Sequence, residues 1–252
     1  MYISIKDYIE SKGISGDVIL YRDRWHKKRG LCQYLAQNIS TNKTICVYSG
    51  GAFGLYMAKA FANNKVVVCG NVIADEYKQQ ILQLPNAIVI EGKTNLASKQ
   101  YADQMGYLFV DQFDNPLIKQ YYKNHFLNLI AEVQAKHVNA FCDCGHSCAT
   151  LAGAIASGVD VCFVLGINRI EGTRQRLYYL TDYKDRFVQQ TTRDFDTTVL
   201  QKEIEALYSS FGNVFEATRS ISASMSWLKQ NPGKTVLVYV GDSPVFGEDI
   251  TI

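Results

Sequence analysis

Short β-branched runs alternate along this chain with stretches whose apolar residues recur three and four positions apart. The runs that predict strands are 18–21, 44–47, 65–69, 87–90, 107–110, 138–142, 159–164 and 235–240. The stretches that predict helices are 31–39, 56–62, 75–84, 96–105, 117–133, 150–157, 200–208 and 217–228. Strands that are joined through a helix lie parallel and connect with a right-handed crossover. The sequence therefore predicts an α/β fold with parallel sheets flanked by helices.

Composition and charge exclude several classes of protein. The 252 residues are 47% hydrophobic and 20% charged, which is enough for one good core or two modest lobes. The net charge is only +2, with both signs interspersed, so the chain has no basic face for nucleic acid or a membrane surface. The sequence shows no secretory signal and no apolar run of roughly 20 residues. We expect a cytoplasmic protein without nucleic-acid or membrane partners, and its seven cysteines to be mostly buried and reduced.

The turn after the second predicted strand consists mostly of small residues. It reads Ser49-Gly50-Gly51-Ala52-Phe53-Gly54 and leads into a helical pattern. Such a turn brings backbone N–H groups to the positive end of a helix dipole, where a carboxylate or a phosphate can bind. The alternative is a tight turn whose glycines supply positive φ values. The segment is therefore either an anion-binding loop or a purely structural turn.

Four soft side chains within seven residues raise the question of a metal. Cys142, Cys144, His146 and Cys148 alternate with other residues along one predicted strand. This spacing places them on one face with little curvature, whereas zinc sites usually have two residues between paired ligands. We expect no metal here, with zinc as the alternative.

Five segments in a fixed order resemble the fold-type II pyridoxal-phosphate enzymes, the group of cysteine synthase, threonine synthase and the tryptophan synthase β subunit. The segments are Trp25-His26-Lys27-Lys28-Arg29-Gly30, 49–54, Asp111-Gln112-Phe113-Asp114-Asn115-Pro116, 144–153 and Val214-Phe215-Glu216-Ala217-Thr218-Arg219-Ser220, before a last strand that leads to Gly241-Asp242-Ser243. The segment 112–116 is the most specific, because it is nearly verbatim for cysteine synthase-like members. The resemblance implies the fold of that group and pyridoxal 5'-phosphate as the cofactor.

The domain organisation follows from this resemblance. We expect a larger cofactor-binding lobe from residues 1–40 and 132–252, a smaller lobe inserted from 41 to 131, and the site in the cleft between them. The chain has only four prolines, so no rigid linker separates sequential domains. The stretch 172–198 is rich in Arg, Tyr, Asp and Gln but weak in period, which predicts an irregular insertion or lid.

A lysine carries the chemistry that the resemblance implies. The family bonds the cofactor's aldehyde to a lysine in a Lys-x-Arg-Gly-like segment at a helix start, which corresponds to Lys27, with Lys28 as the alternative. A lysine can act in this way only when its surroundings free the amine, and the neighbouring cations favour this by repulsion. The bulky residues 22–26 stand where the family usually has a small Asn-Pro-x-Gly-Ser stretch.

The resemblance also implies the contacts to the cofactor. His146, Ser147, Cys148, Ala149 and Thr150 stand in place of the phosphate-binding Gly-x-Gly-Gly-Thr, with backbone N–H groups and hydroxyls as donors. The cradle is either remodelled or empty, because glycines that permit close approach are replaced.

Two further positions concern the cofactor's ring. Ala52 stands where the family usually has an asparagine that contacts the ring hydroxyl, and alanine cannot make that hydrogen bond. The resemblance also implies that Arg219 or Ser220 lies beside the pyridine nitrogen. Serine imposes no full charge there, whereas arginine disfavours protonation of the ring.

The substrate is expected at the Gly-rich loop. Ser49, Gly50, Gly51, Ala52 and Phe53 would bind the carboxylate of a small amino acid, and Gln112 is assigned to the same substrate. The function implied is a lyase or β-replacement enzyme for O-activated serine or cysteine, in a homodimer. The alternative is a catalytically silent relative that senses a ligand or serves in assembly.

Overall fold

The computed structural model describes residues 2–22, 26–135, 137–143, 148–167, 183, 185–191, 194–208 and 214–240. These residues form two compact units. The first takes its residues from 1–24 and 119–243, and the second from 25–118. The lobe boundaries near residues 40 and 131 stay a prediction. In the described part of the chain, no helix has the length and apolar character that crossing a bilayer requires.

The described elements follow one another in a β/α rhythm. In chain order they are β1 (Tyr2–Ser4), α1 (Lys6–Ser11), β2 (Gly16–Arg22), a π-helical turn (His26–Gly30), α2 (Leu31–Asn38), β3 (Ile45–Tyr48), α3 (Ala52–Ala60), β4 (Val66–Cys69), α4 (Asp75–Leu82), β5 (Ala87–Ile90), α5 (Asn95–Met105), β6 (Leu108–Val110), α6 (Pro116–Ala135), β7 (Ala140–Asp143), α7 (Ala149–Ala156), β8 (Cys162–Ile167), β9 (Val188–Thr191), α8 (Thr197–Tyr208), α9 (Val214–Gln230) and β10 (Lys234–Val240). All eight predicted strands and all eight predicted helices are present, with ends shifted by a few residues.

The first unit contains a six-stranded sheet in the order β1-β2-β10-β7-β8-β9. Its strands run parallel except for β1, which pairs antiparallel with β2 at the edge. On one face, Val18, Val238 and Cys142 pack with apolar residues of α1, α8 and α9 in a single core cluster. On the other face, Phe126 of α6 makes ring contacts with Phe141 and Tyr239. Both faces of the central strands are covered, which explains their near-continuous apolar sequences.

The second unit contains a four-stranded parallel sheet in the order β5-β4-β3-β6. Its central strand β4 is buried at all four positions. Helix α5 begins with a side-chain cap, because the Thr94 hydroxyl accepts a hydrogen bond from the Ala97 N–H at 3.2 Å. It ends at Gly106, whose φ of 68° is the left-handed value that favours glycine. In such a sheet, the loops at the carboxyl ends of the strands lie together along one edge.

One part of the predicted irregular stretch 172–198 is regular, and this is a correction. Residues 188–191 form β9, which pairs parallel with β8. The sequence Val-Gln-Gln-Thr has no apolar period, since its first two residues are exposed. It is a strand only through its backbone pairing with β8. Positions 168–182, 184 and 192–193 lie outside the described residues. Two further elements that the periodicity did not reveal are also short: β1 has three residues and α1 has six.

Candidate active site

The Gly-rich loop joins the end of β3 to the start of α3. Ser49 is buried, and its Oγ accepts hydrogen bonds from the N–H groups of Gly51 at 3.0 Å and Gly54 at 2.9 Å. The Ser49 N–H donates to the Cys69 carbonyl at 2.7 Å, and the Ala74 N–H donates to the Gly50 carbonyl at 3.1 Å. The loop is therefore held from within by a serine oxygen and from outside by the segment that follows β4.

The loop still presents donors for an anion. Among the described residues, no acceptor accounts for the N–H groups of Gly50, Ala52 and Phe53. The last two belong to the first turn of α3, where N–H groups lack partners within the helix and the helix dipole is positive. The Ser49 hydroxyl accepts two bonds and keeps its own hydrogen to donate. The geometry thus suits a carboxylate at this loop.

Three glycines of the loop have different roles. Gly51 has a φ of 150°, and a Cβ there would lie 2.3 Å from Cδ2 of Tyr77. A Cβ on Gly54 would lie 2.3 Å from Cγ1 of Val68. At Gly50 nothing lies closer to a Cβ than a carbonyl oxygen at 4.0 Å. Hence Gly51 and Gly54 are needed by the fold itself, whereas Gly50 is the position where space is left open.

The lysine segment forms the π-helical turn that precedes α2. The backbone of Lys27 lies in this turn, and its side chain lies outside the described residues. The Nζ of Lys28 lies 5.6 Å from the ring centroid of Phe53, at the start of α3. The Sγ of Cys32 lies 3.8 Å from the Phe53 carbonyl oxygen, and burial raises the pKa of that thiol. Within the second unit, the structure therefore brings the lysine segment to the Gly-rich loop.

Gln112 lies at the carboxyl end of β6, next to the end of β3. Its Nε2 donates to the Tyr48 carbonyl at 2.8 Å, directly before the loop. The neighbouring Asp111 accepts from the Phe113 N–H at 2.8 Å, and Asn115 accepts from the Leu117 N–H at 3.0 Å. These bonds build the turn that starts α6. Gln112 is thus brought beside the loop, where its described contact supports the backbone.

The predicted phosphate cradle lies at the start of α7 in the first unit. His146 and Ser147 are among the positions 144–147, which lie outside the described residues. Cys148 precedes the helix with a φ of 53° and is buried. The Thr150 hydroxyl donates a hydrogen bond to the carboxylate of Asp143, which is 1% exposed at the end of β7. The hydroxyl hydrogen of Thr150 is therefore already used in this bond and is not available to a phosphate.

Asp143 lies at the predicted phosphate cradle, and sequence reasoning missed it. It stood among the alternating cysteines without an assigned role. The sequence did contain a signal, which is an acidic residue at the carboxyl end of a buried strand. A carboxylate is rarely buried without a hydrogen-bond partner, so this position predicts a polar contact.

Ser220 lies on α9, facing the core of the first unit. It is 0% exposed, and its Oγ has no hydrogen-bond partner in the described part of the chain. Its carbonyl accepts from the Ser224 hydroxyl at 2.7 Å and from the Cys142 thiol at 3.5 Å. Arg219 beside it is partly exposed. A buried hydroxyl without a partner is costly, so Ser220 is suited to bond a polar atom from outside the described residues.

Solved structures share this fold at low sequence identity. An O-acetylserine-dependent cystathionine β-synthase from Helicobacter pylori matches with a TM-score of 0.76 and 15% identity over 100% of this chain and 95% of its own. An O-ureido-L-serine synthase matches with a TM-score of 0.72 and 16% identity over 94% of this chain and 90% of its own. An O-acetylserine sulfhydrylase from Entamoeba histolytica matches with a TM-score of 0.70 and 15% identity over 96% and 85%.

These likenesses confirm the fold class predicted from the sequence. The chain has the α/β fold of the fold-type II pyridoxal-phosphate enzymes, with parallel strands flanked by helices. No family model matches the sequence, and a comparison with curated proteins finds no match.

Proposed function

We propose that this protein is a pyridoxal-phosphate-dependent enzyme that catalyses β-replacement or β-elimination on a small amino acid, such as O-activated serine or cysteine. The fold supports this, since the names of the similar structures above refer to O-acetylserine or O-ureido-L-serine. The observation on this chain that carries the proposal is the buried Ser220 hydroxyl, which has no hydrogen-bond partner among the described residues. A cytoplasmic location and a homodimer stay predictions.

The residues present fit the ring of the cofactor at Ser220. A neutral pyridine nitrogen accepts a hydrogen bond, and the Ser220 hydroxyl has one to donate. When bound, pyridoxal phosphate supplies an electron sink for negative charge at the substrate's Cα. A serine partner leaves the charge of the ring unchanged, which distinguishes it from the neighbouring arginine. The N-terminus of α7 would hold the phosphate through its backbone N–H groups.

The Gly-rich loop and Lys27 would act on the amino acid itself. The N–H groups of Gly50, Ala52 and Phe53 would bind its carboxylate, at roughly 1.5–3 kcal/mol for each hydrogen bond to a charged group. Holding the carboxylate fixes the orientation of the Cα–H bond. The Nζ of Lys27 would bear the cofactor and, when free, take the proton from Cα. Gln112 would keep the end of β3 in place beneath the loop.

A second candidate function is a ligand-binding protein without catalysis. Two observations favour it: the carboxylate of Asp143 engages Thr150 at the expected phosphate site, and Ala52 offers no side-chain hydrogen bond to the cofactor ring. A carboxylate close to a phosphate repels it.

Borohydride reduction separates the two candidates. Purified protein is incubated with excess pyridoxal phosphate, reduced and digested, and the peptides are mapped for a pyridoxyl group. We expect the group on Lys27, an absorbance band near the violet edge before reduction, and loss of both in Lys27→Ala. The matched control Lys28→Ala keeps the label.

Two outcomes contradict this proposal in different ways. A label on Lys28 shows that the assigned lysine is wrong by one residue. No label at all after reconstitution refutes the enzyme and leaves the ligand-binding protein.

A further inference from the structure

Two buried cysteines of the second unit lie side by side beneath α5. Cys46 on β3 and Cys69 on β4 are both 0% exposed, and their sulfur atoms are 3.8 Å apart. The register pairs Cys69 with Tyr48, two residues after Cys46, so the cysteines are diagonal neighbours on one face of the sheet. The Ser98 carbonyl of α5 lies 3.8 Å from the Cys46 sulfur.

The two thiols are chemically unequal. The hydrogen bond shared with Cys46 lowers the pKa of Cys69 to about 7. Burial opposes this shift, whereas Ser98 and Lys93 add to it. The same hydrogen bond, together with burial, raises the pKa of Cys46. The amine of Lys93 lies 4.8 Å from the centre of the Tyr101 ring. This ring packs against the buried cluster that contains Cys46 and Cys69. Of the two thiols, Cys69 therefore loses its proton more readily, and Cys46 keeps its proton more firmly.

Both cysteines are directly connected to the Gly-rich loop. The Cys69 carbonyl accepts the hydrogen bond of the Ser49 N–H at 2.7 Å, and β3, which carries Cys46, continues into Ser49. The next residue, Gly70, approaches so closely that a Cβ there would lie 2.5 Å from the Ser49 carbonyl oxygen. A displacement of Cys69 therefore displaces the anchor of the loop.

Bond formation between the cysteines requires such a displacement. The sulfur atoms, now 3.8 Å apart, must approach to about 2.05 Å. Diagonal positions on neighbouring strands are farther apart than the Cα separations of unstrained disulfides, so side-chain rotation alone does not suffice. The strands must shift, and a disulfide that strains its surroundings is easily reduced.

We propose that Cys46 and Cys69 are an oxidation site, at which a hydroperoxide forms a reversible intramolecular disulfide that weakens ligand binding at the Gly-rich loop. The Cys69 sulfur attacks the peroxide, the O–O bond breaks, and water or an alcohol leaves while Cys69 becomes a sulfenic acid. The Cys46 sulfur then attacks the Cys69 sulfur, and the sulfenic oxygen leaves as water with the thiol proton. Two thiols are oxidised and one hydroperoxide is reduced. The effect on the ligand, unlike the disulfide itself, rests on the proposed function.

Peptide mapping of the full wild-type chain tests the disulfide. The reduced protein is treated with hydrogen peroxide, then denatured and alkylated, and trypsin releases Cys46 in peptide 44–59 and Cys69 in peptide 66–78. We expect these peptides to be linked, to separate with dithiothreitol, and to link faster as the pH rises through about 7, where Cys69 loses its proton. Cys46→Ala prevents the link, whereas the control Cys32→Ala retains it.

The disulfide is refuted if peroxide leaves both thiols open to alkylation, or oxidises Cys69 further without linking it to Cys46. This readout does not depend on the variants folding, because it is made on the wild-type chain.

A calorimetric titration with O-acetylserine, on protein reconstituted with pyridoxal phosphate, tests the coupling. We expect the oxidised form to bind on the order of tenfold more weakly, and dithiothreitol to restore affinity. Equal affinity in both forms refutes the coupling. No binding even by the reduced form counts against the proposed function, while the peptide link still stands or falls by itself.

Discussion

Replacing Gly51 by alanine is the most direct test of how the Gly-rich loop is built. Its φ of 150° and ψ of −81° lie in a region that L-residues avoid, which costs about 1–3 kcal/mol. The new Cβ would also lie 2.3 Å from Cδ2, 2.6 Å from Cγ and 2.9 Å from Cβ of Tyr77. The contact with the Tyr77 Cβ cannot be relieved by rotating the ring, so overpacking adds about 1–3 kcal/mol. Together we expect Gly51→Ala to lower the free energy of unfolding by about 2–6 kcal/mol.

The matched control is Gly50→Ala, one residue earlier. Gly50 is exposed, and the nearest atom to its Cβ would be the Val72 carbonyl oxygen at 4.0 Å. We expect a change within about 0.5 kcal/mol, as for ordinary surface positions.

Urea denaturation of both variants measures the difference. With a slope of about 2 kcal/mol per molar urea, the midpoint of Gly51→Ala should fall by roughly 1–3 M. Equal midpoints for Gly51→Ala and Gly50→Ala would show that the loop adopts another backbone conformation, and the assignment of its N–H donors would fail with it.

Two further predictions concern the ligand and the cofactor. The leucine side chain of Gly50→Leu would cover the open side of the loop. We expect it to weaken amino-acid binding at least about tenfold, because a charge-assisted hydrogen bond is lost. Spectral titration with O-acetylserine measures this, and unchanged affinity would exclude the loop as the carboxylate site. Ser220→Ala should weaken pyridoxal phosphate binding by about five- to tenfold. It should leave the cofactor-free stability equal or higher, because it removes a buried hydroxyl that has no partner among the described residues. Ser224→Ala, whose hydroxyl is already bonded to the Ser220 carbonyl, is the control for cofactor fluorescence titration, and an equal loss there would contradict the role of Ser220.

The period of the apolar residues predicted most of the fold. It located β4 at the buried run Val66–Cys69 and α5 at Asn95–Met105, because burial on one face of a helix or both faces of a strand selects these patterns. It did not locate β9, since that strand is defined by backbone pairing with β8 and its side chains are partly solvent-exposed. Backbone pairing of this kind cannot be detected from the spacing of hydrophobic residues in the sequence.

The candidate site was only partly accessible from the sequence. Segment order and residue type pointed to Ser49, to Gln112 and to either Arg219 or Ser220. The first two follow predicted strands, and the last pair lies near the start of a predicted helix. The sequence had no means of showing that Thr150 binds the carboxylate of Asp143, since that contact depends on how the end of β7 meets the start of α7.

The sequence by itself therefore determined the α/β class, the order of the elements and the loop rich in donors, all of which follow from local period and local turn chemistry. Only the tertiary structure decided which glycines are indispensable, that the buried Ser220 hydroxyl has no partner in the described part of the chain, and that the sulfurs of Cys46 and Cys69 lie 3.8 Å apart beneath α5. These properties depend on distances between residues far apart in the chain, and such distances are set by the packing of whole strands and helices.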